Sequence, residues 1–296
     1  MKSIRSLLLH RPRPVGIFAF AALLCGAFPA LAAPFLASAE SFATLGASTA
    51  TNTGATTING DVGVYPGTSI TGTGAITLVG ASAFEIGNSV AQGAEHDATN
   101  AFDVLLALPA TTDLSGMILG TGGSVSTLTP GVYSFSSSAQ LTGTLTLNFT
   151  GDPNGSFVFQ IASTLTTASA SAIDVIGGDA DSAIYWEVGS SAVLGTATAF
   201  AGNILAADSI SLNTGADILC GRAIALTAAI TLQGNTISNN CSAYNAASGR
   251  GDFGSTGFSG TSSTSPIPEP ASLLLLATGL IGGAALRRTR AQHGTH

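Results

Sequence analysis

Three short stretches decide the fold: residues 191–196 (SAVLGT), 209–214 (SISLNT) and 229–234 (AITLQG). In each one, apolar residues alternate with small ones, and a leucine holds the same place. Leu194 and Leu212 are 18 residues apart, and Leu212 and Leu232 are 20 apart. Such a period leaves room for three strands of about five residues per repeat. Because one repeat cannot bury its own apolar face but a stack can, the pattern predicts a β-solenoid.

One segment departs from this pattern. From Asn88 to Leu108 the apolar residues recur at helical spacing, and Pro109 follows them. The residues of that stripe are Val90, Ala94, Ala98, Ala101, Phe102, Leu105 and Leu108. Glu95, Asp97 and Asp103 are expected on or near the opposite side. The segment therefore predicts one amphipathic helix, at about residues 88–108, lying against the solenoid.

Residues 1–39 have the order of a secretory signal peptide, with basic residues before an apolar stretch. Two small-x-small sequences, Ala30-Leu31-Ala32 and Ala37-Ser38-Ala39, are candidate cleavage sites. Because Pro34 lies close to the first, cleavage after Ala39 is favoured. This predicts a mature chain that begins at Glu40 and a folded domain at residues 40–245.

The C-terminal residues 267–296 contain three parts: Pro268-Glu269-Pro270, an apolar run at 271–286, and an arginine-rich end. The run is short for a membrane span of ~20 residues, and the basic end fits the positive-inside rule. The order is similar to the PEP-CTERM sorting signal of Gram-negative bacteria. That resemblance implies export and cutting near the Pro-Glu-Pro by an exosortase-type enzyme. Residues 246–266, rich in Gly and Ser, are predicted to form a linker.

Charge is scarce and uneven along the chain. Residues 40–266 hold 15 of the 16 acids but only two basic residues, Arg222 and Arg250, and no lysine. A protein that binds nucleic acid needs lysine and arginine to displace phosphate counterions, so that class is excluded. Docking on an anionic membrane surface is disfavoured for the same reason.

Segments at roughly residues 40–240 resemble the microbial ice-binding proteins of the DUF3494 type. The resemblance is carried by SFATLG (41–46), TATNTG (49–54), INGDVGV (58–64), PGTSITG (66–72), and residues 128–147, 157–169, 186–194 and 209–222. It implies a right-handed, discontinuous β-solenoid of triangular cross-section with one long parallel helix. It also implies that a flat solenoid face is the ice-binding site. The scarcity of catalytic and metal-binding residues, set out below, predicts that the protein is no enzyme and needs no cofactor.

Strand alternation identifies a candidate for that face. The first predicted outward column is Thr71, Gln140, Thr164, Val193, Ser211 and Thr231. The second predicted column is Ser69, Ser138, Ala162, Ser191, Ser209 and Ala229. Neither contains a charge. By contrast, a column of Asp61, Gln160, Glu187, Asn203 and Arg222 is expected to form an ordinary solvated face.

Ice has a flat lattice whose repeat is close to the spacing of stacked strands. The sequence therefore predicts an exported ice-binding protein, monomeric and not membrane-spanning once processed, that limits ice growth and recrystallisation. It would be secreted or held at the surface of a Gram-negative cell. The alternative is a surface or matrix structural protein, such as an adhesin, with the same solenoid and no affinity for ice.

Few residues suggest other chemistry. His96 is the only histidine between residues 40 and 266, so a Ser-His-Asp or Cys-His set is not expected. Asp179 and Asp181 suggest a solvated turn more than a calcium site, and no metal site is predicted. In an oxidising compartment Cys220 and Cys241 could form a disulfide, with two free thiols as the alternative.

Overall fold

The computed structural model of the protein describes residues 35–240 and 255–260. Within these residues it contains one α-helix, α1 (Ser89–Ala107), and two short 3-10 helices, Ala37–Ser41 and Thr73–Ala75. The strands are β1 (Phe42–Gly46), β2 (Thr49–Thr53), β3 (Thr56–Asn59), β4 (Asp61–Val64), β5 (Ser69–Thr71), β6 (Ile76–Val79), β7 (Phe84–Ile86), β8 (Thr112–Asp113), β9 (Ile118–Leu119), β10 (Thr127–Leu128), β11 (Gly131–Phe135), β12 (Ala139–Leu141), β13 (Thr144–Asn148), β14 (Ser156–Ile161), β15 (Leu165–Thr167), β16 (Ala172–Ile176), β17 (Ala183–Val188), β18 (Ala192–Leu194), β19 (Ala199–Ala206), β20 (Ile210–Leu212), β21 (Asp217–Ala225), β22 (Ile230–Gln233) and β23 (Thr236–Ser238).

These strands wind into a three-sided coil in which neighbouring turns pair in parallel. The side here called the helix face has the spatial order β7, β4, β1, β21, β19, β17, β14, β11, β8. The flat face has the order β5, β2, β22, β20, β18, β15, β12, β9. The third face has the order β6, β3, β23, β21, β19, β16, β13, β10. The long strands β19 and β21 bend around one corner and belong to both the helix face and the third face.

The stack does not follow chain order. The first turn of the chain, β1 to β3, pairs with the last one, β21 to β23, and it also pairs with the second turn on its other side. Both ends of the described solenoid segment therefore meet inside the stack. The mostly β, discontinuous solenoid with one helix alongside that the sequence predicts is confirmed.

Large apolar side chains fill the inside of the coil. The Phe159 and Trp186 rings stack with centroids 3.8 Å apart, and Trp186 Nε1 donates a hydrogen bond to the carbonyl of Ala201 at 3.1 Å. At the corner shared by β19 and β21, Gly202 and Gly221 are paired and have φ angles of 98° and 148°. A Cβ on Gly221 would lie 1.9 Å from the Gly202 carbonyl oxygen, so this corner requires glycine.

The helix predicted at about residues 88–108 is present. Asn88 caps it, because its Oδ1 accepts a hydrogen bond from the Ala91 N–H at 3.0 Å. At the other end, Gln160 Nε2 donates to the carbonyls of Leu105 and Leu108 at 2.7 and 2.8 Å. Two side chains differ from the predicted pattern: Val90 is 48% exposed, whereas Glu95 is only 9% exposed and faces the solenoid.

The predicted solvated column is wrong. Glu187, Asn203 and Arg222 are each no more than 1% exposed, and Gln160 is half-buried beneath the end of α1. These residues lie on the helix face or at its corner, where α1 and residues 255–260 cover them. The strand register also shows that these residues do not form one column, since Asn203 pairs with Tyr185 rather than with Glu187.

Residues 255–260 fall in the predicted linker, yet they pack on the domain, with Phe258 1% exposed. The linker prediction is therefore wrong for that segment. Cys220 is disulfide-bonded. Its predicted partner Cys241 lies outside the described residues, so the pairing stays a prediction. The sorting signal also lies outside them.

Candidate functional site: the flat face

The flat face carries one continuous outward column along all eight of its strands. Registered strand pairs place these residues side by side. In spatial order the first column is Thr71, Thr51, Thr231, Ser211, Val193, Thr166, Gln140 and Ile118. Parallel strands lie ~4.8 Å apart, so the side chains form an evenly spaced row.

A second outward column runs beside the first. In spatial order it is Ser69, Thr49, Ala229, Ser209, Ser191, Thr164 and Ser138. Hydroxyl groups of adjacent turns bond within it: Thr164 Oγ1 donates to Ser138 Oγ at 2.7 Å, and the Ser191 and Ser209 hydroxyls are 3.0 Å apart. These bonds restrict hydroxyl rotation, so part of the surface is ordered before anything binds.

The structure thus brings together eleven of the twelve predicted residues. In the turn that contains Leu165, the predicted assignment of residues to columns is wrong. Thr164 belongs to the second column rather than the first, and Ala162 belongs to neither. Leu165 is a leucine like Leu194 and Leu212, but it pairs with Ala192 and therefore lies two residues out of step with Leu194.

The cause is a buried threonine. Thr167 takes the inward place that leucine takes in neighbouring turns, pairing with Leu141, and it is 3% exposed. Its hydroxyl accepts the Gly195 N–H at 2.8 Å and lies 2.7 Å from the Thr198 hydroxyl. With those partners the polar group is satisfied inside the core, so the apolar pattern is misleading at this turn.

Four residues of the two columns are absent from the predicted set: Thr49, Thr51, Thr166 and Ile118. Thr49 and Thr51 lie in the stretch TATNT, which alternates like the other flat-face strands. Only the pairing of β2 with β22 and β5 shows that they fill the row between Thr71 and Thr231. Ile118 ends the row at the edge strand β9, where it is 38% exposed.

A layer of inward side chains, here called the buried floor, supports the columns. On six strands the inward residue between the columns is almost fully buried, and these residues are Ala50, Ile230, Ile210, Ala192, Leu165 and Ala139. On the edge strand β5 the corresponding Ile70 is only partly buried. Neither column carries a charge. The nearest acid in sequence, Asp208, precedes Ser209 at the corner and accepts bonds from Ser190 Oγ at 3.1 Å and Thr227 Oγ1 at 3.2 Å. The face is therefore uncharged, polar and stiff.

Groups for other chemistry are sparse in the described residues. No set of three or more His, Cys, Asp or Glu side chains there could hold a metal ion. His96 is exposed on α1 beside Asp97, with the ring nitrogen 3.7 Å from the carboxylate. A cleft of about 620 Å³ lies by Glu40, Asp61 and Asn239, away from the flat face. None of the described helices is long and apolar enough to cross a membrane.

Fold and face together define a class of protein: a β-solenoid with one stiff, uncharged sheet exposed for contact with an extended surface. Comparison with known sequences agrees. The family model for ice-binding-like proteins matches residues 44–238, and the PEP-CTERM protein-sorting motif matches residues 266–290. The chain therefore belongs to the ice-binding-like family.

Individual relatives give the same result. An ice-binding protein of Nostoc sp. (strain HG1) is 44% identical over 260 residues, which cover 88% of this chain and 88% of that protein. The crystal structure of an ice-binding protein from Antarctomyces psychrotrophicus superposes with a TM-score of 0.63 at 36% identity, covering 69% of this chain and 97% of that one. For an ice-binding protein from an Antarctic biological consortium, the TM-score is 0.64 at 43% identity, with coverages of 69% and 90%.

Proposed function

We propose that this protein binds ice through its flat face and thereby inhibits ice growth and recrystallisation. The proposal rests on two unbroken, uncharged columns of side chains, one along all eight paired strands of the flat face and one along seven of them. Strand pairing fixes a repeat of ~4.8 Å along the face, and methyl and hydroxyl groups can hold water at that repeat in an ice-compatible arrangement. A charged side chain would instead orient and bind water too strongly.

Adsorption of this kind depends on area and rigidity. Each contact is weak, and ordering mobile side chains on binding costs free energy, so a pre-ordered surface binds better than a flexible one. The buried floor beneath the columns and the hydroxyl pairs within the second column meet that requirement. Threonine is well suited because its branched side chain has few rotamers.

A bulky residue in the middle of the face tests the proposal. Thr51→Tyr and Thr231→Tyr each place a ring above the plane of the columns, so that the face no longer meets ice over its length. We expect thermal hysteresis and recrystallisation inhibition to fall at least about tenfold, since losing about 1.4 kcal/mol of adsorption free energy is enough for that.

The matched control is Thr57→Tyr. Thr57 is an outward residue of the next strand, β3, on the third face, and pairs with Thr236 and Thr77. We expect this variant to keep its activity, and all three variants to keep the circular dichroism of the parent. Full activity in both flat-face variants would overturn the assignment of the face. No activity in the parent protein at high concentration would favour the matrix or adhesin role instead.

We infer that the flat face acts without catalysis. A solenoid lyase would need grouped acids and bases in a groove, and the columns offer only hydroxyl, methyl and amide groups. A panel of polysaccharides incubated with the protein should show no depolymerisation.

The PEP-CTERM motif indicates export and sorting. We propose further that an exosortase-type enzyme processes the chain and that the product is a monomer, secreted or held at the surface of a Gram-negative cell. A free flat face supports the monomer, because a second copy covering that face would compete with ice.

A further inference from the structure

Residues that precede Glu40 are an integral part of the domain. Leu36 and Ala39 are fully buried against α1, and the Phe35 ring meets the Tyr185 ring edge-on with centroids 5.0 Å apart. Ser38 is fixed to the helix, since its backbone N–H and its Oγ donate to Asp97 Oδ2 at 3.0 and 2.5 Å. These bonds hold the pKa of Asp97 below its usual value.

A buried arginine joins this segment to the solenoid. Arg222 Nε and Nη2 donate to the Glu40 carbonyl at 3.1 and 2.6 Å, and Nη1 donates to Asn203 Oδ1 at 2.8 Å. Because Arg222 is fully buried, its positive charge is stabilised by these oxygen atoms and by nearby Glu40 instead of by water. Desolvation lowers its pKa to about 10, which leaves it charged at neutral pH.

The C-terminal segment closes over the same point. Arg222 Nη1 also donates to the Thr256 carbonyl at 3.3 Å, and Ser259 Oγ donates to Glu40 Oε1 at 2.5 Å. Phe258 is buried, and its carbonyl accepts bonds from the Ile184 N–H and from Asn203 Nδ2, both at 2.9 Å. Residues 35–41 and 255–260 thus form one structure around Arg222, here called the terminal clasp.

We propose that the mature protein retains the whole terminal clasp, and that signal peptidase cleaves between Ala32 and Ala33 rather than after Ala39. Water adds across that peptide bond, leaving a carboxylate on Ala32 and an amine on Ala33. Ala30 and Ala32 supply the small residues that the peptidase requires. The C-terminal cut falls beyond Gly260.

The alternative cut would damage the folded domain in two ways. Cleavage after Ala39 removes Phe35, Leu36 and Ala39 and exposes the apolar surface that they cover. It also creates a positively charged amino terminus on Glu40, the residue whose carbonyl the buried Arg222 guanidinium binds. Like charges on such close neighbours disfavour each other in a region with little water.

The N-terminus of the exported protein, produced from the full-length chain and identified by peptide mass spectrometry, tests the proposal directly. After expression in a Gram-negative host, we expect the N-terminal peptide to begin with Ala33. A chain that begins with Glu40 would overturn the proposal.

A substitution gives an independent readout, because it alters the mature protein only if its residue survives processing. In the full-length chain, Leu36→Ala should lower the Tm of the exported product by about 5–15 °C, as expected for a truncated buried leucine. Phe258→Ala should lower it similarly. The control Leu106→Ala, at a leucine 56% exposed on α1, should change it by less than about 2 °C. An unchanged Tm for Leu36→Ala would show that residue 36 is removed.

Discussion

At the scale of single residues, the buried carboxyl groups under α1 are the least expected feature. Glu95 faces the solenoid, and neither of its carboxylate oxygens has a hydrogen-bond partner within the described residues. Burial raises its pKa from 4.5 to about 8, and burial likewise raises that of Glu187 to about 7, against a smaller lowering by the Ile161 backbone. Both groups are therefore mostly protonated in the folded protein at mildly acid pH.

This arrangement predicts that stability falls as pH rises. Between pH 4.5 and about 8 the folded state holds a proton on Glu95 that the unfolded state has lost, so the free energy of unfolding decreases with pH. We expect the Tm to drop by several degrees from pH 5 to pH 8.5. Glu95→Gln, which cannot ionise, should have a flatter profile and a higher Tm at pH 8.5.

Asp103→Asn, at an exposed position of the same helix, is the control and should keep the slope of the parent. The idea fails if Glu95→Gln leaves the pH profile unchanged, or if the parent is more stable at pH 8.5 than at pH 5.

At the scale of elements, the flat face is regular from β5 to β20 and irregular at the opposite end, on β12 and β9. The column from Thr71 to Ser211 consists of short hydroxyl side chains, whereas Gln140 and Ile118 on β12 and β9 are larger. Gln140 Nε2 lies 3.4 Å from Thr142 Oγ1, a weak bond that leaves a flexible side chain on the surface. A long mobile side chain loses rotamer freedom on adsorption.

Replacing that residue should improve the face. Gln140→Thr places a second threonine beside Thr166, so we expect thermal hysteresis to rise at equal concentration. Gln92→Thr on α1 makes the same exchange at an exposed site away from the flat face and should have no effect on hysteresis. A loss of activity in Gln140→Thr would mean that the amide itself contacts ice.

At the scale of the whole molecule, the terminal clasp lies opposite the flat face. Residues 255–260 pack where β19 and β21 bend from the third face to the helix face, and a three-sided coil places that ridge across from the remaining side. The chain continues from Gly260 at this ridge. Attachment through the C-terminal tail therefore leaves the columns turned away from the support.

Directional immobilisation checks this geometry. Beads carrying the protein through its C-terminal tail should adsorb to ice. Beads carrying it through an azide-bearing residue at position 231 should not, whereas attachment at position 57, on the third face, should preserve adsorption. Equal adsorption through positions 231 and 57 would contradict the geometry.

Features that depend on neighbours along the chain can be predicted from the order of residues. The repeat of the three leucine-centred stretches, the helical spacing from Ala94 to Leu105, and the alternation that keeps charge out of the flat-face strands are all local. These features form because one side of each strand or helix is buried. The spacing of apolar residues along the chain shows directly which side that is.

Features that depend on pairing between distant strands become visible only in the folded chain. Thr51 joins the face because β2 pairs with β22, about 180 residues later, and no local period reveals which turns stack. Thr164 changes column because the core accepts a hydrogen-bonded threonine at position 167. Arg222 and Glu187 are charged residue types that the sequence places in water. They are buried because α1 and the terminal clasp cover them, and those segments reach them only when the whole chain is folded.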